Sequence, residues 1–195
     1  MGRKNLQRLI KLLFLISLLI PIFSEEYSYR VKMDLFSGKS VIKDSIVDDT
    51  LFIFIKTSVA LGTVKIENVG KIYLKELKPV SIISKYNRVG KKSEGYVKFL
   101  QNSIETYLTG ENKRFYDSLK FEPNDWLILP FFLKYYDKDL YRCSMIHGDY
   151  ELKRRYLNDT ILWRDKKKSL VIKLYSDKFI YMKAGKILME INDGK

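Results

Sequence analysis

Apolar and polar residues alternate along most of this chain, and that period of two is its strongest local signal. From Tyr27 to Leu35 every second residue is apolar, and the residues between them are polar. Successive side chains of an extended strand point to opposite faces, so the pattern predicts a strand with one buried and one wet face. Runs of similar character predict further strands over residues 40–47, 50–61, 64–76, 80–87, 94–101, 104–109, 113–121, 140–147, 149–157, 160–165, 169–176, 178–184 and 186–192.

Turn-forming residues separate these predicted strands. They are Gly38, Gly62, Gly70, Gly90, Gly110, Gly148, Asn158, Asp159, Asp177, Lys178 and Gly185. Short strands joined by tight turns form antiparallel hairpins, and the connections are too short for the crossover helices of a parallel sheet. An apolar sheet face has to pack against another layer. That layer is either a second sheet or a helix around which one long sheet curls.

One segment, residues 124–137, predicts a helix. Asn124 is the expected N-cap, and the residues after it are apolar nearly all round, which places the helix inside the protein. Pro130 breaks or kinks a helix interior, so we expect two short turns or a bend there. The predicted fold class is therefore mostly β, with a strongly curved antiparallel sheet, an open or half barrel, wrapped around one short, bent helix.

The first 24 residues have the layout of a secretory signal peptide. Four basic residues and no acidic one precede an apolar run at residues 12–23, and Ser24 is a small residue at the expected cleavage point. This run of about a dozen residues is shorter than the roughly 20 that a membrane-spanning helix needs. We therefore predict a signal peptide over residues 1–24, a single β-rich domain over residues 25–195, and a periplasmic or extracellular location. An uncleaved N-terminal anchor is the alternative, because Ile22 fits a cleavage site less well than Ala.

The sequence holds few residues for nucleophilic catalysis or metal binding. Cys143 is the only cysteine and His147 the only histidine, and four residues of strand separate them by about 13 Å, too far for a nucleophile and its base. One His and one Cys do not make a zinc site. We predict no catalytic residue, no metal and no cofactor, a buried Cys143, and a His147 at the end of a hairpin. A carboxylate-dependent exported hydrolase is an alternative, since acid–base chemistry needs only Asp and Glu.

The chain is strongly basic, with a net charge of +13. An exported cationic protein meets anionic lipid head groups and envelope polyanions, and these are the expected partners. A general preference for Lys in the source is the alternative explanation of the charge. The fourteen Tyr residues fit stacking on nucleic acid, but Tyr on strands also packs within sheets. Because the leader argues for export, we predict no nucleic-acid partner.

Three short motifs follow one another along the chain. A Tyr-x-Tyr-x-Val strand begins at Tyr27, an Asp precedes the apolar helix within residues 124–129, and a Gly-Lys-x-Leu turn begins at Gly185. In this order the motifs resemble those of the DUF3108 family of periplasmic proteins of unknown function, over most of residues 27–190. The resemblance implies a curved antiparallel sheet around a helix, similar in outline to outer-membrane lipoprotein carriers, and it implies no catalytic residues. Pro130 departs from the family pattern, as does the lack of a Ser after the Asp.

Export, one-faced strands and one apolar helix together predict a non-enzymatic cell-envelope protein that binds a lipid or another apolar ligand on the concave face of its sheet. The residues expected to contact the ligand are Trp126, Phe131, Phe132 and Arg154. Arg154 either points inward, where it would hold an anionic head group, or reaches outward to water. A structural or assembly factor of the envelope with a solid core is the alternative function.

Overall fold

One continuous sheet dominates the computed structural model, which describes residues 25–33, 36–59, 63–167, 169–176 and 178–192. The predicted leader and the predicted turn residues Gly62 and Asp177 lie outside these ranges. The strands are β1 (Glu25–Met33), β2 (Phe36–Val47), β3 (Thr50–Val59), β4 (Val64–Tyr73), β5 (Lys78–Arg88), β6 (Lys91–Phe99), β7 (Ile104–Leu108), β8 (Arg114–Tyr116), β9 (Glu122–Pro123), β10 (Leu140–Met145), β11 (Gly148–Leu157), β12 (Thr160–Asp165), β13 (Leu170–Tyr175), β14 (Lys178–Ala184) and β15 (Ile187–Ile191). Within the described ranges, the helix α1 (Leu129–Lys134) is the one α-helix.

The strand order follows two meanders that meet at the two ends of the chain. The order is β8-β7-β6-β5-β4-β3-β2-β1-β15-β14-β13-β12-β11-β10-β9, so the first and last strands of the domain pair with each other in its middle. Neighbouring strands are antiparallel, as predicted, except for the short parallel pairing of β9 with β10. The strand predicted over residues 113–121 is limited to β8, because Leu119 and Phe121 instead donate their backbone N–H groups to Asn102 and Ser144.

The connection between β8 and β9 shows why the sheet has to curve. These two strands are the opposite edges of the sheet, and the residues between Tyr116 and Glu122 span at most about 20 Å when fully extended. A flat sheet of 15 strands would place its edges about 65 Å apart at the usual interstrand spacing. The sheet is therefore strongly curved, and it stays open because β8 and β9 do not pair. The predicted fold class is confirmed.

Alternate residues of the strands build the core on the concave face. On β3 the residues Leu51, Ile53 and Ile55 are buried, and the residues between them are partly exposed. The same alternation buries Tyr29 and Val31 on β1. Burial of such side chains contributes about 1.5–3 kcal/mol each to folding. The apolar residues of the period-two pattern are therefore the ones that contribute most to stability.

The helix is shorter than predicted and begins later. A turn at residues 126–128 precedes α1, which runs through Pro130, so the division between turn and helix falls before Leu129 and not at the proline as predicted. Pro130 stands in the first turn of α1, where a proline has no backbone hydrogen bond to lose. The predicted N-cap at Asn124 is wrong, because Ile128 is the N-cap and the Asn124 side chain instead donates to the Tyr141 hydroxyl at 2.8 Å.

Two predicted turns, at Gly38 and Gly70, are wrong, since both glycines lie within strands. At these positions glycine is needed for its small size. A Cβ added at Gly38 would lie 2.1 Å from the carbonyl oxygen of Ser58, and one at Gly70 would lie 2.4 Å from Cγ2 of Ile128. Gly70 therefore forms the notch in the concave face that receives the residue capping α1.

Substituting Gly70→Ala tests this notch. We expect a loss of about 1–3 kcal/mol in the free energy of unfolding, as for other overpacked cores, because the buried Ile128 side chain has to move. In the double variant with Ile128→Ala, the loss in the free energy of unfolding should be smaller than the sum of the two single-variant losses, since the clashing methyl group is gone. Urea unfolding of the four proteins measures this coupling, and strict additivity would contradict the proposed contact.

Candidate functional site

A pocket of about 320 Å³ lies between α1 and the concave face of the sheet. Its size is at the lower end of the range for small-molecule sites, roughly 300–1,000 Å³. Its wall is formed by helix α1, by strands β1, β2, β13 and β14, and by the turn after β13. The lining residues are Tyr27, Tyr29, Asp44, Pro130, Phe131, Lys134, Leu174, Ser176, Lys178 and Phe179.

Three aromatic rings form the apolar wall of the pocket. Tyr29 stacks on Phe179 with 5.0 Å between ring centroids, and Phe131 meets the Phe179 ring edge-on at 5.9 Å. The Tyr29 hydroxyl donates to the Phe179 carbonyl oxygen at 2.8 Å. Burial raises the pKa of Tyr29 above its usual value, and the nearby Asp44 carboxylate raises it further. Tyr29 is therefore a neutral, fixed part of the wall.

A β-bulge decides that Phe179 faces this pocket. The register of β13 with β14 shifts between Lys173 and Leu174, so that Lys173 is opposite Tyr181 while Leu174 is opposite Phe179. Without the extra residue, side chains 179 and 181 would lie on the same face of the sheet. The bulge instead leaves Tyr181 on the convex face, beneath Lys173, and turns Phe179 inward.

The rim of the pocket is polar and carries a net positive charge. Lys134 in the last turn of α1 and Lys178 at the start of β14 line it, together with the Asp44 carboxylate. The Lys178 ammonium lies 5.3 Å from the centre of the Tyr27 ring. The Tyr27 hydroxyl is buried and makes no hydrogen bond within the described part of the chain. Such a group costs free energy, and a polar atom of a ligand would satisfy it.

The structure separates the four residues predicted to bind ligand. Phe131 lines the pocket and is 8% exposed. Phe132 points to the other side of α1, where it is 1% exposed and packs against the rings of Tyr136 and Tyr141. Trp126 is partly buried against the core in the turn before α1. Neither Trp126 nor Phe132 borders the pocket.

Arg154 takes the inward orientation of the two that the sequence allowed. Its side chain is 12% exposed, and its guanidinium lies 5.5 Å from the Trp163 ring. It pairs with Asp139 at 2.8 Å and donates to the carbonyl oxygens of Tyr136 and Asp137 at 3.0 and 2.5 Å. These bonds hold the segment after α1 against β11 and occupy the donors that a head group would need.

Several pocket residues were not identified from the sequence. Tyr27 and Tyr29 showed only the alternation of a strand, and Lys178 and Phe179 lie about 150 residues further along the chain. The pairings that bring these strands together are long-range, and the bulge in β14 has no clear local signal. The one usable signal was the Tyr-x-Tyr spacing at the start of the domain.

A polar cleft near the start of β13, the end of that strand away from the pocket, is lined partly by carboxylates. Asp149 and Asp165 border a cleft of about 400 Å³ together with His147 and Ser169. Asp149 accepts a hydrogen bond from Ser144, and Asp165 accepts one from Ser169 as well as backbone N–H groups. Both carboxylates therefore already accept hydrogen bonds that hold neighbouring parts of the chain in place.

The single cysteine and histidine lie where the sequence predicted. Cys143 is fully buried, and burial raises the pKa of its thiol above the usual value. His147 is exposed in the turn between β10 and β11.

The carboxyl group of Asp125 lies near His147, and burial raises its pKa to about 6. The Leu127 backbone N–H, which donates to this carboxyl, and the charge of His147 both act in the opposite direction.

No family model and no curated protein matches this chain. Among solved structures it is similar to a β-barrel-like protein of the domain of unknown function DUF1849 from Brucella abortus, at 12% identity over 86% of this chain and 97% of that one, with a TM-score of 0.44. The resemblance to the DUF3108 family stays a prediction. Among the described residues, no helix combines the length and apolar character needed to cross a membrane.

Proposed function

We propose that this protein is an exported, non-enzymatic protein of the cell envelope that binds an amphiphilic molecule in the pocket beside α1. The apolar part of the ligand would lie against the rings of Tyr29, Phe131 and Phe179. Its polar end would face Lys134 and Lys178 at the rim. Export rests on the predicted leader, and binding rests on the pocket.

The observation that carries the proposal is the combination of one apolar wall and one polar rim in a single pocket. Binding sites for amphiphiles need apolar surface together with a few placed polar groups. The aromatic wall offers the first, and the two lysines and the unsatisfied Tyr27 hydroxyl offer the second. Because the wall is built from side chains that hold one another in place, little ordering free energy is lost on binding.

A fluorescent fatty acid tests this proposal on the full-length chain. We expect saturable binding to the parent protein and binding at least about tenfold weaker in Phe131→Ala, since that change removes one buried aromatic contact. Phe115→Ala is the matched control, because Phe115 is 62% exposed on the edge strand β8. Native mass spectrometry of the freshly purified protein should also detect a retained amphiphile.

Two results together would reject ligand binding in this pocket. Absence of any retained amphiphile, together with no saturable binding or with equal affinity in Phe131→Ala, would reject the ligand-binding proposal. An assembly factor with a solid core would then be the better interpretation. The packing on the other side of α1 favours that alternative, because the rings of Phe132, Tyr136, Tyr141 and Trp163 fill the space between helix and sheet there.

A further inference from the structure

The convex face of the sheet carries two neighbouring rows of cationic residues across strands β11–β15, β1 and β2. In the first row, register places Lys153, Arg164, Val171, Lys183, Leu188, Lys32 and Ser37 opposite one another. In the second row it places Arg155, Leu162, Lys173, Tyr181, Glu190, Arg30 and Lys39 opposite one another. We call the eight cations of these rows the convex basic patch, in which Glu190 is the one acidic residue.

The eight cations of this patch form no ion pair within 4.0 Å with a carboxylate in the described part of the chain. Elsewhere on the same sheet cross-strand ion pairs do form, namely Lys43–Glu26, Lys56–Glu67, Lys85–Glu94 and Arg142–Glu151. The patch therefore concentrates positive charge that carboxylates do not neutralise at close range.

The patch covers a broad, extended area of the convex face. Seven strands at the usual spacing cover about 29 Å, and the two rows lie about 7 Å apart along the strands. A shallow depression within this area is lined by four cations and two carboxylates, Lys153, Arg155, Arg164, Lys166, Glu151 and Asp165, and keeps a net positive charge. Mutual repulsion among so many like charges costs free energy, which an anionic partner would remove.

Apolar side chains beside the patch favour a membrane over a soluble polyanion. The next row toward the hairpin ends contains Leu157 and Tyr175, which are exposed, opposite Thr160. Tyrosine and aliphatic side chains beside cations are typical of surfaces that lie at the head-group level of a bilayer. A soluble polyanion would gain nothing from them.

We propose that the convex basic patch docks this protein onto an anionic membrane surface. The patch lies on the face opposite to the ligand pocket, so the proposal stands without the proposed function. Each Lys or Arg near an anionic bilayer strengthens binding by about fivefold, and the effect acts only within a Debye length of the surface.

Vesicle co-sedimentation of the full-length chain tests the docking surface. We expect binding to vesicles that contain phosphatidylglycerol, much weaker binding to pure phosphatidylcholine, and loss of binding when salt rises from about 0.1 M to about 1 M. The triple variant Lys153→Gln, Arg164→Gln, Lys183→Gln should bind on the order of 100-fold more weakly. The apolar run at residues 12–23 is the same in every protein, so its contribution cancels.

The matched control removes three cations from the other half of the convex face. In the triple variant Lys85→Gln, Lys92→Gln, Lys98→Gln the net charge falls equally, but we expect partitioning to change by less than about threefold. These residues lie on β5 and β6, at least three strands or about 14 Å from the patch, which is more than a Debye length. Circular dichroism confirms that both variants are folded. Equal losses in the two triple variants, or equal binding to both kinds of vesicle, would overturn the proposal. Loss of heparin binding with unchanged vesicle binding in the patch variant would overturn it in favour of a soluble polyanion.

Discussion

Phe132→Ala should lower the free energy of unfolding by about 3–5 kcal/mol, the usual cost of deleting a buried aromatic ring. Phe132 is 1% exposed, and its ring lies 4.8 Å from that of Tyr141 and 5.8 Å from that of Tyr136. The strands around it are held in register by backbone hydrogen bonds, so the cavity can collapse only in part. For a domain of this size the loss corresponds to a fall of roughly 6–20 °C in Tm.

Urea unfolding and thermal scans of the full-length chain measure this effect. Phe115→Ala removes the same ring from an exposed position on β8 and should change stability by less than about 0.5 kcal/mol. A loss below about 1 kcal/mol in Phe132→Ala would mean that α1 is not docked in the curve of the sheet as described.

Arg154→Ala should cost about 2–4 kcal/mol, because it leaves the carbonyl oxygens of Tyr136 and Asp137 without their donors and removes a cation from the Trp163 ring. The ion pair with Asp139 adds little by itself, since the Asp139 side chain is exposed. The fork of the guanidinium makes three bonds from one position. Arg154→Lys should therefore recover only part of the stability, as an ammonium cannot reproduce that geometry.

The adjacent residue gives the control for this second prediction. Arg155 is on the same strand, but it is exposed on the opposite face, and Arg155→Ala should change stability by no more than about 0.5 kcal/mol. The rate of limited proteolysis within residues 134–139 adds a local measurement, since loss of the Arg154 hydrogen bonds should expose that segment to cleavage. Similar unfolding curves for the two alanine variants would contradict the role assigned to Arg154.

The strands and the class of fold were predictable because their signals are local. Alternation depends on side chains two residues apart, and Gly90, Gly110 and Gly185 do take the left-handed conformation of turns. Gly38 and Gly70 are the same residue type, yet they are needed because distant parts of the chain approach closely there. A single sequence does not separate these two uses of glycine.

The candidate site was predictable only in part for the same reason. Phe131 was identified because an apolar helix has to face the sheet. Its neighbour Phe132 points the other way, since successive helical residues differ in direction by about 100°, and the position of α1 against the sheet decides which of them meets the pocket. Arg154 was identified as inward-facing or outward-facing, and the partners that settle its orientation come from the segment after α1.

By itself, the sequence determined the β-rich class, the antiparallel connectivity, most strand positions and the basic character of the chain, because each follows from residue type and short-range spacing. The tertiary structure decided where glycine serves packing, which aromatic residue lines the pocket, and how eight scattered cations form one patch. Those features depend on register between strands up to about 160 residues apart, and register is fixed by the burial of the whole concave face rather than by any one segment.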